Sequence, residues 1–248
     1  VAFPLLTAYA VAGVSTPAVL IGLASVAGFL AHEPLLVRLG RRGARVKRDE
    51  GRRATAWLAV AGATTVCAGL AALWLLESDA RWSLLLPLGP AALLAAAIAA
   101  GQEKSALGEV AAALSFSLLT VPVCLAAGSS TSSALAVGIA FASIFVLGTL
   151  VVRAVVLGAR GGGNPSAARR TRVVVLMLAA VISVLIAAAG RHTLLPWSTL
   201  AAVSPGVLAA VTLSIWWPSP TKLRRVGWLL IAATSAAAVV LTAGLAGT

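Results

Sequence analysis

Apolar residues run along this chain in blocks of about twenty, broken by turn residues and clusters of charge. At 1.5 Å per residue, a helical block of that length crosses a hydrocarbon layer of about 30 Å. Divided at its breaks, the pattern predicts about nine helices, near 1–14, 17–37, 54–76, 83–100, 106–127, 134–157, 173–190, 194–217 and 226–247. Between the first two stands only Ser15-Thr16-Pro17, whose proline ends one helix or starts the next. Pro87, Pro90, Pro122, Pro196 and Pro205 fall within spans and predict kinks, with Pro87 and Pro90 together expected to break the fourth helix. Gly62 and Gly69 predict a close helix contact. The fold class that follows is all-α, a polytopic transmembrane bundle forming a single integral membrane domain over 1–248.

Composition excludes a water-soluble alternative. Only 10% of residues are charged and 60% are hydrophobic, whereas a soluble domain carries about 25% charged residues. The net charge of +12 does not indicate nucleic acid, because the basic residues flank apolar blocks without interleaved aromatics or a nucleic-acid-binding motif. They report topology instead. Seventeen of the nineteen Lys and Arg residues fall on one side of the predicted division, and only Arg81 and Arg191 on the other. By the positive-inside rule this predicts an N-in, C-out chain, with basic loops at Arg38 to Arg53 and Arg160 to Arg172 facing the cytoplasm. Both loops follow a span and lead to a double arginine, Arg52-Arg53 and Arg169-Arg170. This is compatible with a four-helix pseudo-repeat over 1–100 and 106–217, with a ninth helix at 226–247. No cleavable signal peptide is read, and the first helix, opening directly on Val1-Ala-Phe-Pro4, is expected to be cut short at its start. The tryptophans lie near predicted helix ends, as an interfacial belt requires.

Ionisable groups within spans are the candidates for function. His32 and Glu33 lie about one turn above the inner end of the second helix, Glu109 above that of the fifth and Arg153 above that of the sixth. The fifth and sixth helices are joined by a short connection, so Glu109 is placed to face Arg153. Two readings stand: a structural ion pair, or the polar end of a pocket lined by Glu33, Glu109 and Arg153 with His32 nearby. Arg52, Arg53, Arg169 and Arg170 are candidates for holding a phosphate, since arginine forks bind phosphate oxygens bidentately. Their alternative role is contact with anionic headgroups. Cys67 and Cys124 lack metal-binding spacing and read as buried apolar residues, and His192 has no second histidine nearby.

The opening Phe3-Pro4, the stretch Phe29-Leu-Ala-His-Glu-Pro34 and the stretch Glu103-Lys-Ser-Ala-Leu-Gly-Glu109 resemble the YwiC-like family of bacterial membrane proteins. This resemblance covers roughly the first half of the chain and implies a multi-pass protein of the bacterial inner membrane; it brings no activity with it. The family usually opens with a short Glu/Gln-His-Gly-Ala segment before the first helix, which is not in this sequence. The overall plan is also similar to the UbiA-type prenyltransferases, with nine helices and two enlarged cytoplasmic loops. In those enzymes the loops bear Asp-rich motifs that hold magnesium and a prenyl diphosphate. Here the first loop has only Asp49-Glu50 and the second has no acidic residue, so metal-dependent prenyl transfer lacks its ligands.

Together these features predict a UbiA-like bundle, without cofactor or metal, that binds a lipid or isoprenoid-type molecule in a cavity facing the cytoplasm. A small transporter and a structural or assembly subunit of a membrane complex are the alternatives. The expected partners are membrane lipids with anionic headgroups on the cytoplasmic side, not nucleic acid, and the assembly reading adds membrane-complex partners.

Overall fold

In the computed structural model, which describes residues 2–159, 165–216 and 223–245, every regular element is a helix. In chain order these are α1 (Ala2–Ala12), α2 (Thr16–Arg38), α3 (Ala44–Leu75), a 3-10 segment (Ser78–Leu84) continuing into α4 (Leu85–Ala99), α5 (Ala106–Leu118), α6 (Thr120–Ala126), α7 (Thr131–Ala159), α8 (Pro165–Arg191), α9 (Trp197–Trp216) and α10 (Leu223–Leu245). Taking the 3-10 segment with α4 and α5 with α6, eight rods among the described residues are long and apolar enough to cross a membrane, and α1 is a shorter apolar helix. Arg160, Gly161 to Asn164, Trp217 and Lys222 lie outside the described residues.

The helix breaks follow local chemistry. Ser15 caps α2, its hydroxyl accepting from Ala18 N at 3.3 Å and donating to Ala126 O at 2.6 Å, and Pro17 sits in the first turn, where no N–H is needed. The fifth span divides at Leu119 because Pro122 has no N–H to offer the Leu118 carbonyl four residues back. The fourth does not break at its prolines as expected. Pro87 occupies the first turn of α4, where a missing N–H is harmless, and Pro90 is carried inside a continuous helix. Pro196 likewise stands just before α9 rather than within it, and Pro205 lies inside α9.

The stretches expected to be basic loops are largely helical. After a turn at residues 39–43, α3 begins at Ala44, and α8 begins at Pro165, so Arg45 to Arg53 and Arg169 to Arg172 ride on helices. The physical reason is composition: Ala, Arg, Lys and Glu are good helix formers. At 32 residues α3 is about 48 Å long and outreaches the hydrocarbon layer. Its first turns therefore stand in the headgroup region or beyond it.

The core centres on α7, which packs against α1, α5, α6, α8, α9 and α10. Its sequence is apolar on every side, as a helix surrounded by others requires. Phe141, Val137 and Leu147 of α7 are fully buried, as are Val121 of α6, Val203 of α9 and Leu241 of α10. Close approach to α7 uses two glycines: a Cβ at Gly138 would lie 2.6 Å from Val121 Cγ2, and one at Gly206 would lie 2.6 Å from Ile144 Cγ1. The predicted contact through Gly62 and Gly69 is not formed, since nothing approaches within 4 Å of a Cβ at either. Instead α3 packs on α2 through Ala54, Ala61 and Ala68, a seven-residue seam of buried alanines. Much of the remaining α3 surface, including Trp57, Val60, Leu70 and Trp74, is exposed, as a lipid-facing helix allows.

Candidate functional site

The turn between α4 and α5 builds the candidate site. Gln102 N donates to Ala97 O at 2.7 Å, closing the end of α4, and Ser105 caps α5 by accepting from Gly108 N at 3.1 Å. Gly108 permits this fold, because a Cβ there would stand 2.7 Å from the Glu103 carbonyl. Glu109 then falls in the first turn of α5, where the positive end of the helix dipole favours a carboxylate.

Arg153 reaches this turn from α7. Its Nη1 donates to Glu109 Oε2 and to the Lys104 carbonyl, each at 3.0 Å. The pair is only partly covered, with side-chain exposure of 26% for Arg153 and 36% for Glu109. Nη2 and Nε of Arg153 make no hydrogen bond with the described residues. Both side chains open onto a cavity of ≈ 660 Å³ between α5, α7 and α10. From the ion pair the walls run along Ala112 and Phe116 of α5 and along Gly148 and Phe145 of α7, with Leu230 and exposed Ile231 of α10 on the far side, so that the space is an open groove. Glu109 to Phe116 spans about 10 Å of helix. Thr234 contributes little polarity, since its hydroxyl donates to Leu230 O in its own helix at 2.8 Å. The result is an apolar cavity with one charged end, of a volume usual for small-molecule sites.

Glu33 joins a different pair. Arg42 holds it bidentately, Nε to Oε1 at 2.7 Å and Nη2 to Oε2 at 2.5 Å. Hydrogen bonding to this carboxylate raises the Arg42 guanidinium above its ordinary pKa. Next to it Arg41 Nη2 donates to Ala99 O at 3.0 Å, clipping the α2–α3 turn to the end of α4. Glu33 and half-buried His32 do not line the cavity. The basic candidates, all four exposed, are also separated: Arg52 lines a groove beside α2, whereas Arg53, Arg169 and Arg170 line neither space. Cys124 is buried as expected, but Cys67 is exposed on α3.

Among the described residues no three His, Cys, Asp or Glu side chains converge. The mid-helix hydroxyls of Thr64, Thr65, Ser115, Ser117, Ser143 and Ser183 each donate to a carbonyl four residues back. The cavity walls at Phe3, Phe116, Phe145, Gly148 and Leu230 were not foreseen. An apolar residue in a membrane helix bears no sequence mark that separates a cavity wall from a lipid-facing or core position.

Eight membrane-length rods, α7 among them, without a strand among the described residues, define an all-helical multi-pass membrane protein. The family model for YwiC-like protein matches residues 1–124, half of the chain, and the chain belongs to the YwiC-like family. The matched part runs from α1 into α6 and includes Glu33 and Glu109, while Arg153 lies beyond it. No curated protein and no solved structure matches the chain.

Proposed function

We propose that this protein holds one amphipathic lipid, of isoprenoid or acyl type, in the cavity between α5, α7 and α10. The observation that carries the reading is the cavity's polarity: an open, mostly apolar groove that ends at Glu109 and Arg153. An aliphatic chain lies along such a groove, and the uncommitted Nη2 and Nε of Arg153 donate to headgroup oxygens. The basic residues gathered at this end support an N-in orientation in a bacterial inner membrane, with the headgroup at the cytoplasmic face. The internal bonding of six mid-helix hydroxyls, Ser115 and Ser143 among them, favours lipid holding over passage of a polar solute, which needs free polar groups at mid-depth.

The test is native mass spectrometry with lipid extraction on the detergent-purified protein, comparing wild type with Gly148→Leu and Arg153→Gln. A Cβ at Gly148 meets only Leu230 methyls, at 3.5 and 3.6 Å, so leucine there enters the cavity without displacing backbone. The expected result is one lipid retained by wild type and depleted in both variants, with thermal stability of Gly148→Leu unchanged. A lipid retained equally by all three would place it outside this cavity and overturn the reading.

A further inference from the structure

A second space lies at the other side of the same end of the bundle. It is a groove of ≈ 590 Å³ between the last turn of α2 and the first four turns of α3, and it shares no residue with the cavity above. Arg38, Lys47 and Arg52 line it, and no acidic residue does. None of these three cations makes a hydrogen bond or ion pair with the described residues. The nearby carboxylates are engaged or turned away: Glu33 holds Arg42, Asp49 lies 3.8 Å from Arg45, and exposed Glu50 does not line the groove. Three like charges thus face one space without a counter-charge, and their repulsion is relieved by an anion between them.

The floor is built to stay open. Lys47, Gly51, Thr55 and Ala59 are spaced by four and form one stripe along α3. Glycine weakens a helix interior relative to alanine, and nothing packs within 4 Å of a Cβ at Gly51. Its bare backbone therefore serves no helix contact; it leaves room between Lys47 and Arg52. Past the cations the groove continues along Ala56 and Ala59 into the apolar part of the span.

We propose that this groove is a specific site for a phosphate-bearing anion, seated as the headgroup of an anionic phospholipid with a chain along Ala56 and Ala59. Arginine forks and a lysine suit phosphate oxygens, and the position at a membrane boundary suits a lipid. A soluble phosphate compound has the same headgroup chemistry and differs in lacking the chain.

The experiment uses the delipidated full chain in zwitterionic detergent. Native mass spectrometry follows titration with phosphatidylglycerol or phosphatidylcholine, and calorimetry follows titration with inorganic phosphate. Three variants are compared: Lys47→Gln with Arg52→Gln, the control Arg45→Gln with Arg53→Gln, and Gly51→Leu, which fills the floor at unchanged charge. Expected is a phosphatidylglycerol preference of about tenfold, lost in the first double variant and in Gly51→Leu and kept in the control. Gly148→Leu, which fills the other cavity, leaves it in place. Phosphate binding with the same variant pattern, and no advantage for phosphatidylglycerol, would assign the groove to a soluble phosphate compound. Equal weakening of both double variants, an unaffected Gly51→Leu, or no binding of either probe would overturn the site.

Discussion

Glu109 and Arg153, 44 positions apart in the chain, meet at 3.0 Å across the α5–α7 interface. The same Nη1 also binds the Lys104 carbonyl, so a single guanidinium ties α7 to the turn that positions α5. A lone charge at the edge of a hydrocarbon layer is costly, and pairing lowers that cost while aiming both groups at one cavity.

The pair is partly solvated, which sets its expected strength. Removing one partner of a fully buried pair costs several kcal/mol, whereas exposed pairs contribute about 1 kcal/mol or less. Glu109→Gln and Arg153→Gln are expected each to destabilise the detergent-solubilised protein, with a coupling of about 1 kcal/mol in a double-mutant cycle. Thermal unfolding of the four proteins measures it. A coupling near zero would mean that the contact is incidental to stability.

Glycine positions separate in the same assay. Gly138→Ala forces a Cβ toward Val121 in the packed centre, and overpacking of this kind costs about 1–3 kcal/mol. Gly62→Ala meets open space and is expected to leave stability unchanged or raise it by up to about 1 kcal/mol. A larger loss at Gly62 than at Gly138 would contradict the packing described for α3 and α7.

Both glycines occupy membrane helices and look alike in the sequence, which shows where its legibility ends. The spans and their breaks at Ser15 and Pro17 were readable because capping and proline act locally. The Glu109–Arg153 contact followed from depth and neighbouring helices. The α2–α3 seam was not readable, because alanine serves equally as a helix former and as a contact residue. The helical course of Arg45 to Arg53 is not legible, because a run of charge marks a loop and a solvated helix alike. The cavity was hidden because its walls use the same phenylalanines and leucines as the lipid-facing surface.

The clip between the α2–α3 turn and α4 depends on Gly101, whose φ of +72° favours glycine. A Cβ there would also fall within 3 Å of the Arg41 guanidinium carbon. Gly101→Ala is therefore expected to cost about 1–3 kcal/mol through backbone strain and displacement of Arg41. Glu33→Gln, at a more exposed pair, is expected to change stability by less than about 1 kcal/mol. Chemical or thermal unfolding in detergent ranks the two, and the opposite ranking would move the clip to the Glu33–Arg42 contact.

Orientation is measurable from the two ends of α3. Residue Arg48 lies in its first turns and Asp79 just beyond its last, both exposed, with about 40 Å of helix in between. In a Cys67→Ser background, buried Cys124 remains as the native thiol and is shielded from reagent. Arg48→Cys in intact cells is expected to react with a membrane-impermeant maleimide only after permeabilisation, and Asp79→Cys to react before it. The sign follows from the charge: placing the basic end of α3 outside would move most of the chain's Lys and Arg across the membrane, against the bias that fixes orientation. Labelling of Arg48→Cys in intact cells would reverse the topology and move the Glu109–Arg153 end of the cavity to the outer face.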